Sequence, residues 1–129
     1  MHIARTIFAG LAWFFIALLL LQVFLAGMGL FGATDMSLHR EFGYLISLVP
    51  LLMTVVAAVG RTGRLTLLSA GLMVLAFVQT SLPYARDDIP VIAALHPVNA
   101  LLLFWLALTI ARRATILARG PGAKELPAA

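Results

Sequence analysis

Two histidines stand where the chain is otherwise greasy: His39 in LHREFG (Leu38–Gly43) and His96 in LHPVNALLLF (Leu95–Phe104). Neutral imidazole is a ready metal ligand, and an ionisable group inside a membrane-spanning segment marks a functional site by default. The chain has no cysteine, which rules out thiolate metal sites, iron–sulfur clusters, disulfides and covalent c-type haem. A pair of imidazoles from two helices suits a different centre, a non-covalent b-type haem whose iron is held from both faces of the porphyrin. A three-histidine zinc site is not expected, because His2 lies at the opposite end of its helix and the carboxylates are too distant to complete four ligands.

The surroundings of each histidine suit a flat group. Residues four apart share a helical face. His39 is followed by Gly43 and then Ser47 on that face, and His96 by Ala100, so each ligand helix is thin where the ring edge must pass. Gln22, Ala26 and Gly29 make a similar stripe on the first apolar segment. Arg40 and Arg86 are placed to pair with haem propionates through charge-assisted hydrogen bonds. The bland readings are interfacial placement for His39, beside Arg40 and Glu41, and interhelical hydrogen bonding for Gln22, Gln79 and Asn99.

The elements that must carry these residues are membrane helices. Of 129 residues, 63% are hydrophobic and 11% charged, and the mean hydropathy is +1.07. No soluble domain of this size hides that much apolar surface, so lipid is the solvent. Spans are expected over about 7–33, 36–60, 65–84 and 90–111, in one four-helix domain of residues 1–118, with a disordered cytoplasmic tail over 119–129. The first span is too long for a cleaved signal peptide. Short links at ATDMS, RTGR and PYARDD make sequential neighbours antiparallel, which gives an all-α, integral membrane, up-down-up-down four-helix bundle. Spans two and four, and with them His39 and His96, then lie diagonally across the core.

Charge orients the bundle. Seven of the nine basic residues (Arg5, Arg61, Arg64, Arg112, Arg113, Arg119 and Lys124) fall on the side of the termini, so the positive-inside rule puts both termini in the cytoplasm. Basic residues scattered around apolar segments in this way point to lipid and away from nucleic acid. Counting ~1.5 Å per residue from those basic ends sets Gln22, Tyr44, Gln79 and His96 in one layer and His39 ~9 Å further out. Pro97, or a fourth helix that continues to Arg119, is needed to bring the histidines level. The hexapeptide GMGLFG (Gly27–Gly32) matches GxGxxG but closes a membrane span instead of opening a helix after a strand, so nucleotide binding is not expected.

The order Gln22 and Gly27, His39-Arg40, Gln79, His96 resembles one four-helix half of the haem A synthase family. HREFG also looks like ligand helices of other membrane b-type cytochromes. Through LQVFLAGMGLFG, LHREFGY and LHPVNALLLF, the whole chain is similar to a family of small uncharacterised bacterial four-helix membrane proteins. The haem A synthase resemblance implies His39 and His96 as the axial pair. The chain lacks that family's second half, its outer cysteine pair and its intramembrane carboxylate, so haem A synthesis is not expected of it. The resulting expectation is a haem b protein of the bacterial inner membrane with a periplasmic-side site formed by His39, His96, Gly43, Ala100, Gln22, Arg40 and Arg86. Its role would be electron transfer or haem carriage, with a lipid quinone or a redox protein as partner. In enzymatic form it would be a haem-dependent membrane oxidoreductase acting at the outer surface. The alternatives are a structural or accessory bundle, or a small-ligand carrier that uses the Gln/Tyr/His layer as its pocket.

Overall fold

A computed structural model of the chain describes residues 1–120; the expected tail lies almost wholly outside them. The described residues are helical, with no strand among them. They form α1 (His2–Leu30), α2 (Ser37–Ile46), α3 (Val49–Val59), α4 (Arg64–Ser81), a 3-10 turn (Leu82–Arg86), α5 (Pro90–Ala93) and α6 (Leu95–Arg119). Four helical stretches, His2–Leu30, Ser37–Val59, Arg64–Arg86 and Pro90–Arg119, are each long and apolar enough to cross a membrane. The protein is a multi-pass membrane bundle.

Two of the breaks have clear causes. Helix α1 ends in a Schellman turn in which the Ala33 N–H bonds the Met28 carbonyl at 2.9 Å, with Gly32 at φ 76°, a conformation glycine adopts freely. Beside it, a side chain at Gly29 would collide with Met36. The GMGLFG hexapeptide is thus a helix stop and a close contact. The α3 terminus repeats the turn, with the Thr62 N–H on the Ala57 carbonyl at 3.1 Å and Arg61 at φ 50° in the left-handed position. Pro50 lies in the first turn of α3 and Pro97 in the first turn of α6, where a missing N–H costs little.

Packing follows a square. The first span touches the second and the fourth, and the third touches the second and the fourth, so spans two and four are diagonal. Within this square the chain repeats itself. A shift of 57 residues carries the buried Phe8, Ala12 and Phe15 onto Leu65, Ser69 and Leu72, which are also buried. The same shift carries Ile46, Met53 and Ala57 onto Leu103, Ile110 and Ala114, buried again. Each repeat is a two-span hairpin, so equivalent helices run in the same direction and the approximate two-fold axis runs along the bundle. The core fills the half of the bundle that holds the termini and thins out at the level of the histidines.

One break in the repeat makes a prediction. Ser69 is fully buried and its hydroxyl has no partner, whereas its counterpart Ala12 brings no polar atom. An unpaired buried hydroxyl costs ~1–3 kcal/mol. Ser69→Ala is therefore expected to raise the thermal midpoint in detergent; an unchanged or lowered midpoint would show that the hydroxyl is satisfied.

At the opposite end, Asp35 accepts hydrogen bonds from the Ser37 hydroxyl and from the Ser37 N–H, the latter at 2.8 Å. These hold its carboxyl below the ordinary aspartate range. This surface tie at the start of α2 is complete at neutral pH and is lost as pH falls through the lowered value.

Candidate functional site

The residues that interrupt the apolar pattern meet in one place. Helix α2 presents His39 and α6 presents His96 from opposite corners of the square. Their ring centroids are 6.2 Å apart and their planes cross at 80°. The ~9 Å depth difference expected from counting ~1.5 Å per residue is absent, and the reason lies at the other end of the fourth span. Helix α6 continues to Arg119, so Arg112 and Arg113 lie well inside a helix whose true end is the counterpart of the Arg61–Thr62 turn. Tyr44 follows Gly43, which lies against the Gln22 side chain, and lines one cavity with both glutamines. Its hydroxyl is 2.7 Å from that of Tyr84 on the third span.

Each histidine is held in the same way. The His39 Nδ1–H donates to the Gln22 backbone carbonyl at 3.1 Å, and the His96 Nδ1–H donates to the Gln79 backbone carbonyl at 3.0 Å. Both partners lie 17 residues upstream of their histidine, on the preceding helix of the same hairpin. A donor bond from Nδ1 fixes the neutral tautomer with its lone pair on Nε2, the arrangement that second-shell carbonyls impose on ligating histidines. Bonds of this kind to carbonyls within an apolar bundle also relieve the cost of burying the ring N–H.

Around the pair lies a cavity of about 1130 Å³. All seven residues singled out from the sequence (His39, His96, Gly43, Ala100, Gln22, Arg40 and Arg86) line it. Phe15, Leu103 and Phe104 supply apolar walls, and Tyr44, Thr80 and Tyr84 add hydroxyls. The space beside Gly43 is taken up by the Gln22 side chain. A Cβ at Gly43 would lie 2.7 Å from the Gln22 side-chain nitrogen, so this helix comes close only because residue 43 has no side chain. Arg40 and Arg86 pair with their chain neighbours Glu41 (3.4 Å) and Asp87 (3.2 Å). All four side chains are exposed, and pairs of that kind contribute little, so both guanidinium groups remain available to an anionic group in the cavity.

The part that Asn99 plays is not evident from the sequence. Asn99 is buried and donates to the Leu75 carbonyl at 3.0 Å and to the Gln79 side-chain oxygen at 2.7 Å. Gln79 in turn sets its side-chain nitrogen 3.2 Å from His96 Nε2. Sequence reasoning also missed the 57-residue repeat. Its signal is present in Gln22/Gln79 and in Leu38-His39/Leu95-His96, pairs that the same shift maps onto one another.

An all-helical membrane bundle with a paired-histidine cavity is the class these observations define. Residues 22–85 match the model of a family of unknown function, DUF6220. That match takes in Gln22, His39, Gly43 and Gln79 and ends before His96. No curated protein and no solved structure matches the chain.

Proposed function

We propose that this protein binds one b-type haem non-covalently between His39 and His96. Its site would lie near the outer face of a bacterial cytoplasmic membrane, with both chain termini in the cytoplasm. The role would be electron transfer or haem carriage, in exchange with a lipid quinone or a redox partner protein. The observation that carries this reading is the pairing of the rings. Two imidazoles that bind one metal through Nε2 from opposite sides have their centroids ~6 Å apart, given metal–nitrogen bonds of ~2 Å, and the rings here are 6.2 Å apart.

Three further features fit the same group. Among the described residues no three His, Cys, Asp or Glu side chains gather, so a bare four-coordinate metal would lack ligands, whereas a porphyrin brings four of its own. The two-fold relation between the hairpins offers similar surroundings to both faces of a flat molecule lying on the axis. Gln22, which lines the cavity, has its side-chain oxygen buried without a partner in the chain. The motif resemblance to haem A synthase and other membrane cytochromes adds to these features.

When bound, haem supplies a one-electron iron couple. The chain's own contributions are to fix both imidazole tautomers, to raise their basicity through the Gln22 and Gln79 carbonyls, to surround the group with apolar side chains, and to offer Arg40 and Arg86 to its carboxylates. The cavity's size favours a second reading, in which it takes a different small organic ligand. The test is stoichiometry. Protein purified in detergent from haem-supplemented cells is expected to yield about one acid-extractable haem per chain. A colourless protein that also fails to take up added haem would sink this reading and leave the second.

A further inference from the structure

The two hairpins agree in everything that holds the histidines except the glutamine side chains. In the first hairpin the Gln22 amide donates to the His39 backbone carbonyl at 2.7 Å and leaves the ring's other nitrogen alone. In the second hairpin the Gln79 amide does not go to the His96 carbonyl. It donates to His96 Nε2, the nitrogen that carries the lone pair, at 3.2 Å.

Two substitutions between the repeats account for this difference. The shift that relates Gln22 to Gln79 also relates Gly43 to Ala100 and Phe42 to Asn99. The Gln22 amide occupies space that a Cβ at residue 43 would claim, at 2.7 Å; at the equivalent position Ala100 carries that Cβ. Asn99 donates to the Gln79 side-chain oxygen at 2.7 Å, which turns the Gln79 nitrogen to its other side. Phe42 has no donor to offer, and the Gln22 oxygen is correspondingly without a partner.

We infer that His39 is the constant metal ligand and His96 the exchangeable one, with the Asn99-oriented Gln79 amide as the latch that sets them apart, so that the coordination position opposite His39 accepts small neutral ligands. The inference rests on the haem reading above. In the exchange no electron moves. His96 Nε2 would give up its bond to the metal and its lone pair would accept the Gln79 N–H, while the incoming ligand's lone pair would take the vacated position. His39 has no such amide waiting for its lone pair.

The test uses the full-length protein in detergent, first without haem and then loaded and reduced. In the haem-free protein, nitrogen NMR of labelled histidine is expected to show the His96 Nε2 signal shifting in Gln79→Leu while both His39 signals stay in place. Ala100→Gly, which opens the space that Gly43 opens in the other hairpin, is expected to produce the same shift with almost no change in volume. In the loaded protein, carbon monoxide is expected to bind the wild type, and about three- to tenfold more weakly in Gln79→Leu, since one competing hydrogen bond is removed. His96→Ala is expected to keep its haem and bind carbon monoxide; His39→Ala is expected to lose most of its haem. If Gln79→Leu changes neither the nitrogen signals of the haem-free protein nor the carbon monoxide affinity of the loaded one, or if the two alanine variants retain haem equally, the latch is overturned while the haem reading stays intact. A protein that takes up no haem would overturn both.

Discussion

Alanine at either His39 or His96 is expected to remove the sharp low-spin α-band of the reduced, haem-loaded protein, with more than a tenfold loss of intensity. The two rings are 6.2 Å apart on diagonal spans, and no third His, Cys, Asp or Glu side chain gathers with them among the described residues, so no neighbour takes the place of a missing imidazole. The change leaves the fold in place. Both histidines are only half-buried, and the core of Phe8, Phe15, Met53, Leu72 and Ile110 lies in the other half of the bundle. Each variant is therefore expected to retain the helical circular dichroism and thermal midpoint of the parent. If the band survives in either variant, the ligand is elsewhere; if helicity is lost with it, the histidines are structural.

The second large effect concerns space. Gly43 is on the face of α2 that carries His39, and even a Cβ there would lie 2.7 Å from the Gln22 amide nitrogen. Gly43→Val adds two more carbons on a cavity-lining residue, against the Gln22 amide that already fills the space a Cβ would take. Overpacking of this kind costs ~1–3 kcal/mol, and if the cost falls on the loaded state the haem affinity drops by roughly five- to 150-fold. Gly71 is the control. It is exposed on α4, and a Cβ there would meet nothing within 4 Å, so Gly71→Ala is expected to leave haem binding unchanged. Haem titrations of the three proteins, followed by absorbance, decide the matter; equal affinities would mean that the flat group does not pass beside Gly43.

Much of this architecture is legible in the residues. Four long apolar runs and short polar links leave little choice but an antiparallel bundle, and the short links place the two Leu-His pairs on diagonal spans. Counting from basic residues fails for His96 because Arg112 and Arg113 mark no helix end; long cationic side chains reach toward an interface from inside a span, and only Arg119 closes α6.

The internal repeat is harder to see for a physical reason. Lipid asks only that outward-facing residues be apolar, so most equivalent positions are free to drift, and buried pairs such as Phe8/Leu65 or Met53/Ile110 need only match in fit. The polar positions that share their identity are those whose hydrogen bonds are specific: the two glutamines and the two histidines. Asn99 looks like general interhelical glue, since nothing in one sequence reveals that its donor group is directed at a particular glutamine oxygen.

The central claim is that His39 and His96 together hold one haem iron, and electron paramagnetic resonance of the oxidised, haem-loaded protein tests it most directly. Imidazole planes crossed at 80° predict a strongly anisotropic low-spin ferric signal that disappears in His39→Ala. A purely high-spin signal from the wild type, or none from protein expressed with ample haem, would contradict the claim.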